Sequence, residues 1–458
     1  MADELTSKSA TELTHLIRAG AVSSVEVVAA YLQRIGQINP ELNAIVTIAP
    51  DLFERARARD AELMSGMVVG PLHGLPITIK DTIDTEGIRT TYGSRLFTEN
   101  VPQEDAAVVA RLKAAGAIIL GKTNVPEMAV PYETDNLIFG RSNNPHNSDY
   151  TPGGSSGGEA AAVAARLSPA GIGSDLSGSI RVPAHFCGVA GLKPTTGAIS
   201  MEGHLPRATG SLALGAAIGP LARCVDDLAL LFSVMSNAPE EQPMSDSDGD
   251  YKRLSWYCDD GVAPVAQEIH AGVQAAAEML RAAGYDVRHE IPPGFSEGQR
   301  LWVEVFSHDA SEQIREMYRG RGHEAGPLIS RLLTSANQTT LGGKSRAEVV
   351  KDAVVERERW REELLRWMKT TPLVIAPVSS TPAFAHGADR VEVDGESISI
   401  FRSCSYSQTV NVFGLPAVVV PVARTAEGLP FGVQIIGRPF KEPEVLAAAA
   451  IIEQSAGF

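Results

Sequence analysis

Three stretches of the chain hold residues whose types and spacing could do chemistry. GAIILGKT (116–123) matches the phosphate-binding pattern GxxxxGK[ST] letter for letter. That chemistry needs a strand before the first glycine and a free loop between the two, whose amides cradle phosphates. Here a helical pattern precedes Gly116 and AIIL reads as a strand, so its amides are committed to a sheet and nucleotide binding is set aside. GSSGG (154–158) matches the nucleophile-elbow pattern GxSxG, which needs a strand leading straight into the serine turn. The preceding RSNNPHNSDYTPG is polar and turn-rich, and nothing marks His289 or His386 as the partner in a Ser-His-Asp triad. The ten histidines show no HxxxH-like spacing, so metal catalysis is not indicated either.

The third stretch, TPGGSSGGEAAAVAARLSPAGIGSDLSGSIRVPAHFCGVAGLKPT (151–195), carries two Ser/Gly clusters, one ahead of a helix and one after a short strand. Glycine permits positive φ and close approach of backbone to a ligand. Residues Asp175 to Ser179 read as a turn into a helix starting near Ile180. Outward-facing amides there could stabilise an oxyanion beside a serine hydroxyl. The plainer reading of the same turn is a glycine-rich loop capped by Ser179. Lys80, ending the apolar run LPITIK, likewise reads on its own as a strand-end lysine with its ammonium in solvent.

The elements that would position these residues form an alternating pattern. Ser9 and Ser23-Ser24 cap two N-terminal helices, the second ending before Pro40. Strands are expected at 75–80, 117–120 and 170–174, with helices at 105–116, 158–167 and 225–236. After an acidic, turn-rich stretch (237–250) come helices at 265–284 and near 345–369. Apolar runs at 372–378, 417–423 and 431–437 then return to a strand pattern, and a helix near 443–454 closes the sequence. The fold class is therefore α/β: a large mixed, mostly parallel central sheet covered by helices on both faces. One domain, 1–458, is expected, with a mainly helical excursion at about 245–370.

Composition limits the partners. The chain has 458 residues, 44% hydrophobic and 21% charged, with a formal charge of −15. That charge disfavours non-specific binding to nucleic acid or anionic lipid. Four cysteines share no CxxC spacing, no basic and apolar leader is visible, and no apolar run reaches membrane-spanning length. A soluble, cytoplasmic protein is expected, as a monomer or homodimer.

The 151–195 block resembles the amidase signature family, whose pattern is GGSSGG followed by GxDxGGSIRxPA. HGLPITIKDTID (73–84), AGAIILGKTNVPE (115–127), FGRSNNP (139–145) and GLKPTTG (191–197) resemble further family segments. So do GPLARCVDDLALL (219–231), NVFGLPAVVVPV (411–422) and GLPFGVQIIGRPF (428–440). They are collinear and cover most of the chain, 245–370 being the least similar part.

The resemblance implies a Ser–cis-Ser–Lys triad: Ser179 as nucleophile, Ser155 as the bridging serine with Ser156 as its rival, and Lys80 as base. It implies an oxyanion hole from the backbone amides of Leu176, Ser177, Gly178 and Ser179, and neither metal nor organic cofactor. Asp175, Arg181 and Asp81 are expected to hold loops rather than move protons. Ser177 stands where the family usually has Gly, and Leu176 where Thr or Ile is common, which bears on substrate preference. By alignment Ala129 and Tyr132, in MAVPYETDN (128–136), face the substrate; LWVEVF (301–306) is a further apolar candidate. The implied activity is hydrolysis of amide or related C–N acyl bonds (carboxamide, anilide, carbamate or urethane, aryl ester) in a small molecule, through a seryl acyl-enzyme. The alternatives are an A-type component of an amidotransferase, which acts on aminoacyl-tRNA with partner subunits, and a non-catalytic binding relative.

Overall fold

Two neighbouring strands, Pro76–Lys80 and Ala170–Asp175, run parallel and leave the sheet at the same edge, which brings Lys80 beside Ser174. They belong to an eleven-stranded sheet in a computed structural model that describes residues 2–236, 252–334, 340–341 and 344–458. In spatial order its strands are 45–48, 118–123, 76–80, 170–175, 217–222, 190–193, 417–424, 430–436, 373–377, 253–256 and 286–289. The acidic stretch expected to be a loop, 237–250, lies outside the described residues.

The sheet is mixed, but its parallel character is narrower than expected. Parallel pairing joins 118–123, 76–80 and 170–175, and again 373–377, 253–256 and 286–289. The other six pairings, including every one through the centre, are antiparallel. One of these follows directly from the chain: 417–424 and 430–436 are joined by a short turn, which forces an antiparallel hairpin. Both faces are covered, as the register at 373–376 shows. Leu373 and Ile375 enter one apolar cluster with Val273, Leu280 and Val445, while Val374 and Ala376 enter another with Leu301, Phe306 and Val410.

Local chemistry explains the ends of the elements. Ser9 and Ser23 form capping boxes with Glu12 and Glu26. The second helix, Ser24–Leu42, runs through Pro40 instead of stopping before it. Pro40 lies in the last turn and forfeits one ladder bond, to the carbonyl of residue 36, two residues before the helix ends. Asn43 then ends the helix with φ 50°, and Asn39 Oδ1 accepts from the amides of Ala44 and Ile45. The strand expected at 117–120 extends over Ile118–Thr123, so Gly121, Lys122 and Thr123 of the phosphate-loop pattern sit in the sheet. A Cβ on Gly121 would lie 2.2 Å from the Thr47 carbonyl oxygen.

The 245–370 segment is more than a helical excursion. Besides helices Gln267–Ala282, Gly298–Met317, Pro327–Thr334 and Arg346–Trp367, it supplies strands Arg253–Trp256 and Asp286–His289 to the end of the main sheet. Among the described residues no helix is long and apolar enough to cross a membrane.

Candidate active site

Lys80, the last residue of its strand, is fully buried, and Ser155 and Ser179 are 1% and 7% exposed. Lys80 Nζ lies 2.7 Å from Ser155 Oγ, 3.0 Å from Ser174 Oγ and 3.4 Å from the Ser174 carbonyl oxygen. The Gly154–Ser155 peptide bond is cis. The Ser156 amide donates to the Ser179 carbonyl at 3.1 Å, tying the two serine clusters together. Ser156 Oγ meets the backbone of Ser174, not Lys80, which separates it from its rival.

Burial pushes the Lys80 amine down to about 7, against the opposing pull of the Asp175 and Glu159 carboxylates. A lysine in that range is neutral often enough near pH 7 to accept a proton. Glu159, itself buried and raised to about 7, accepts from Thr78 Oγ1 and Thr123 Oγ1 beneath the site.

The turn after Asp175 is held from several sides. Asp175 Oδ1 accepts from the Gly178 amide (2.8 Å), Arg181 Nη2 (2.9 Å) and Asn411 Nδ2 (3.0 Å). Its Oδ2 accepts from the Ile180 amide and Arg181 Nε, both at 3.1 Å. Burial alone would raise this carboxyl; Arg181 overrides it and holds the group well below the usual carboxylate range. Arg181 is completed by Gln434 Oε1, Asn411 Oδ1 and the Ser407 carbonyl. Asp175 and Arg181 therefore hold the loop, as does Asp81, whose Oδ2 accepts from the amide and hydroxyl of Thr91. Gly178 takes φ 106°, and a Cβ there would lie 2.7 Å from Ser407 Cβ, so the turn requires glycine.

These bonds revise the expected oxyanion donors. The Gly178 amide is spent on Asp175. Leu176, Ser177 and Ser179 keep amides with no protein acceptor among the described residues. Two side chains hold carbonyls of the turn: Trp302 Nε1 donates to the Leu176 oxygen at 2.8 Å, on the peptide that carries the free Ser177 amide, and Tyr132 Oη donates to the Ser177 oxygen at 2.7 Å, on the peptide whose Gly178 amide is bound to Asp175. A peptide carbonyl and the amide that follows it point opposite ways, so holding Leu176 C=O aims the Ser177 N–H.

Ser155, Ser179, Leu176 and Ser177 open onto a cavity of about 130 Å³ whose wall is mainly apolar, with Met128, Ala129, Leu212, Trp302, Ala310 and Ile314 contributing. Ala129 lines it. Tyr132 does not; it is a buried strut beneath the turn, also bonded to Gln408. Trp302, from LWVEVF, reaches the cavity as well as the backbone. Sequence reasoning missed Ser174, His204, Asn411 and Gln434. The last two lie in the segments NVFGLP and GVQIIG, where an Asn and a Gln inside apolar runs were the available signal.

The sequence profile of the Amidase family matches residues 26–446. The A component of a glutamyl-tRNA(Gln) amidotransferase from Carboxydothermus hydrogenoformans is 35% identical, over 99% of this chain and 98% of its own length. Among solved structures, a chain of a vestigial protein complex reported to reveal the evolutionary origins of an s-triazine catabolic enzyme is similar, with a TM-score of 0.87 and 29% identity over 98% of this chain and 99% of that one. A bacterial aryl acylamidase of the amidase signature family is similar at a TM-score of 0.86 and 25% identity, over 98% of this chain and 96% of that one. Profile, sequence and fold agree with the clustered lysine and serines: the chain belongs to the amidase family.

Proposed function

We propose that this chain hydrolyses amide or related C–N acyl bonds of small molecules, with Ser179 as nucleophile, Ser155 as proton bridge and Lys80 as base. The observation that carries this reading is the buried Lys80 amine 2.7 Å from the Oγ of Ser155, which lines a cavity together with Ser179. Neutral Lys80 takes the Ser155 proton as Ser155 takes that of Ser179, and Ser179 Oγ bonds to the acyl carbon. The amides of Leu176, Ser177 and Ser179 receive the oxyanion. As the C–N bond breaks, the proton returns from Lys80 through Ser155 to the leaving nitrogen. Water then attacks the Ser179 ester, giving up its proton along the same route, and the acid is released.

The cavity favours a small or aromatic acyl group. Its volume of about 130 Å³ is close to the ~150 Å³ that holds a benzene ring in an apolar protein cavity. Anilides and carbamates with a small acyl part fit that description better than substrates with a long acyl chain. The amidotransferase component is the second reading, supported by the curated relatives. It would require glutamine as amide donor and partner subunits.

The test is intact-protein mass and turnover with p-nitroanilides, an aryl carbamate, a primary amide, glutamine and a fluorophosphonate. An adduct mapping to Ser179 and absent from Ser179→Ala, with an aryl substrate turned over, supports the hydrolase. Turnover of glutamine alone, and only with a co-purifying partner, would replace it with the second reading. No adduct and no turnover would leave a binding relative.

A further inference from the structure

Behind Lys80 lies a residue that the triad does not use. His204 Nε2 is 2.8 Å from Ser174 Oγ, and its Nδ1 is 2.9 Å from the Pro206 carbonyl oxygen. Its backbone bridges to Ile83, three residues beyond Lys80, and its side chain contributes to the wall of the cavity. A carbonyl oxygen can only accept, so Nδ1 carries the hydrogen and Nε2 of the neutral ring is an acceptor. Burial, with Lys80 nearby, holds the ring down to about 4, so it is neutral near pH 7.

The hydrogen-bond directions then follow one from another. Ser174 has one hydroxyl hydrogen, and Nε2 takes it; Ser174 Oγ can therefore only accept from Lys80. The Ser174 carbonyl also accepts from Lys80. A neutral amine has two hydrogens and one lone pair. With both hydrogens directed at Ser174, the lone pair is left facing Ser155 Oγ at 2.7 Å.

We propose that His204 is a positioning residue that, by holding the Ser174 hydroxyl as a donor, turns the lone pair of Lys80 toward Ser155. Without that acceptor the Ser174 hydroxyl is free to rotate and give its hydrogen to Lys80, in competition with Ser155. His204 touches none of the reacting atoms; it acts through Ser174. The proposal rests on the reading of Lys80 as base.

The test compares His204→Leu, which removes the acceptor, with His204→Gln, which restores one through its amide oxygen. The readouts are the rate of Ser179 labelling by a fluorophosphonate, followed by intact mass, and kcat and KM for a p-nitroanilide. In labelling, the Ser179 oxygen bonds to phosphorus, fluoride leaves, and the serine proton passes through Ser155 to Lys80. His204→Leu is expected to slow labelling and kcat by about tenfold or more, the scale of one misdirected hydrogen bond, with little change in KM. His204→Gln should recover most of the rate. In a Ser174→Ala background, His204→Leu should have no further effect, because nothing remains to be directed. Full-rate labelling of a folded His204→Leu overturns the proposal, as does a His204→Gln no faster than the Leu variant. Lys80→Met separates the two levels: if it labels at the full rate, the triad reading fails and the His204 proposal with it. If it is inert while His204→Leu is unimpaired, only the His204 proposal fails.

Discussion

Lys80 and Lys122 lie on adjacent parallel strands, both fully buried, yet only one can lose a proton to useful effect. Burial pushes Lys80 down to about 7 and Lys122 to about 8, each opposed by nearby carboxylates. The difference lies in the oxygens around them. Lys122 Nζ donates to the Ile83 carbonyl, Thr85 Oγ1 and Thr90 Oγ1. The two threonine hydroxyls spend their own hydrogens on the Ile83 and Ile88 carbonyls. Every partner of Lys122 is therefore an acceptor, and the group is closed as an ammonium. Lys80 meets two such acceptors and, in Ser155, a hydroxyl with a hydrogen to give. Desolvation lowers the pKa of a lysine into the useful range; the direction of the surrounding hydroxyls then decides whether it can serve as a base or only as a strut.

The sharpest way to break this contrast is to remove each amine in turn. Lys80→Met is expected to lower turnover by ~10²–10⁴-fold, the usual scale of a general base. Lys122→Met, assayed well below its melting temperature, should keep turnover of the same order as the parent. Equal losses in the two variants would mean that burial alone, not hydroxyl direction, sets the chemistry.

Stability should reverse the order. Lys122→Met removes three hydrogen bonds, to the Ile83 carbonyl and to two threonine oxygens that each keep one other bond, at on the order of 1 kcal/mol for each bond lost. It also removes the cation that offsets the burial of Asp81. A denaturant midpoint clearly below that of Lys80→Met is expected.

How much of this contrast is legible in the sequence depends on range. The capping serines, the strand ending at Lys80 and the two Ser/Gly clusters are local patterns, and with the help of resemblance they locate the residues of the proposed triad. The GKT motif can be set aside because AIIL reads as a strand, and the structure carries that strand on through Thr123. What stays hidden is what arrives from far along the chain. Trp302 reaches Leu176 across 126 positions and Asn411 reaches Asp175 across 236. Tyr132 reads as substrate-facing because the sequence locates its loop but not the direction of its side chain. Central antiparallel pairing is hidden for the same reason, since strand periodicity carries no information on direction.

The pH dependence of turnover sharpens the comparison further. In the proposed mechanism Lys80 acts as a neutral base, so kcat/KM should rise about tenfold per pH unit below its pKa and level off above it. The bend is expected near 7. A bend near 10 would indicate a solvated lysine and would remove the distinction drawn from burial.

The smallest expected effect is thermodynamic. In the fold Lys80 is held near 7, against an ordinary value of 10.5. Between those limits the unfolded chain binds a proton at this position that the folded chain does not, so the stability of the parent rises with pH across the window. Below about 7 both states are protonated, and the full penalty of a buried ammonium is present. Lys80→Met carries no such penalty. The gain in melting temperature of Lys80→Met over the parent should therefore be largest below pH 7 and fade toward pH 10.5. Lys122, and Lys193 at the end of strand 190–193, another buried lysine that burial pushes down to about 7, are present in both proteins and largely cancel in the difference. Glu159 and Asp175 face the same position, and loss of the cation leaves Glu159 more readily protonated, which adds to the variant's relative stability on the acid side. A difference in melting temperature that does not vary with pH would show that Lys80 keeps its proton equally in both states, and the buried base would lose its physical basis.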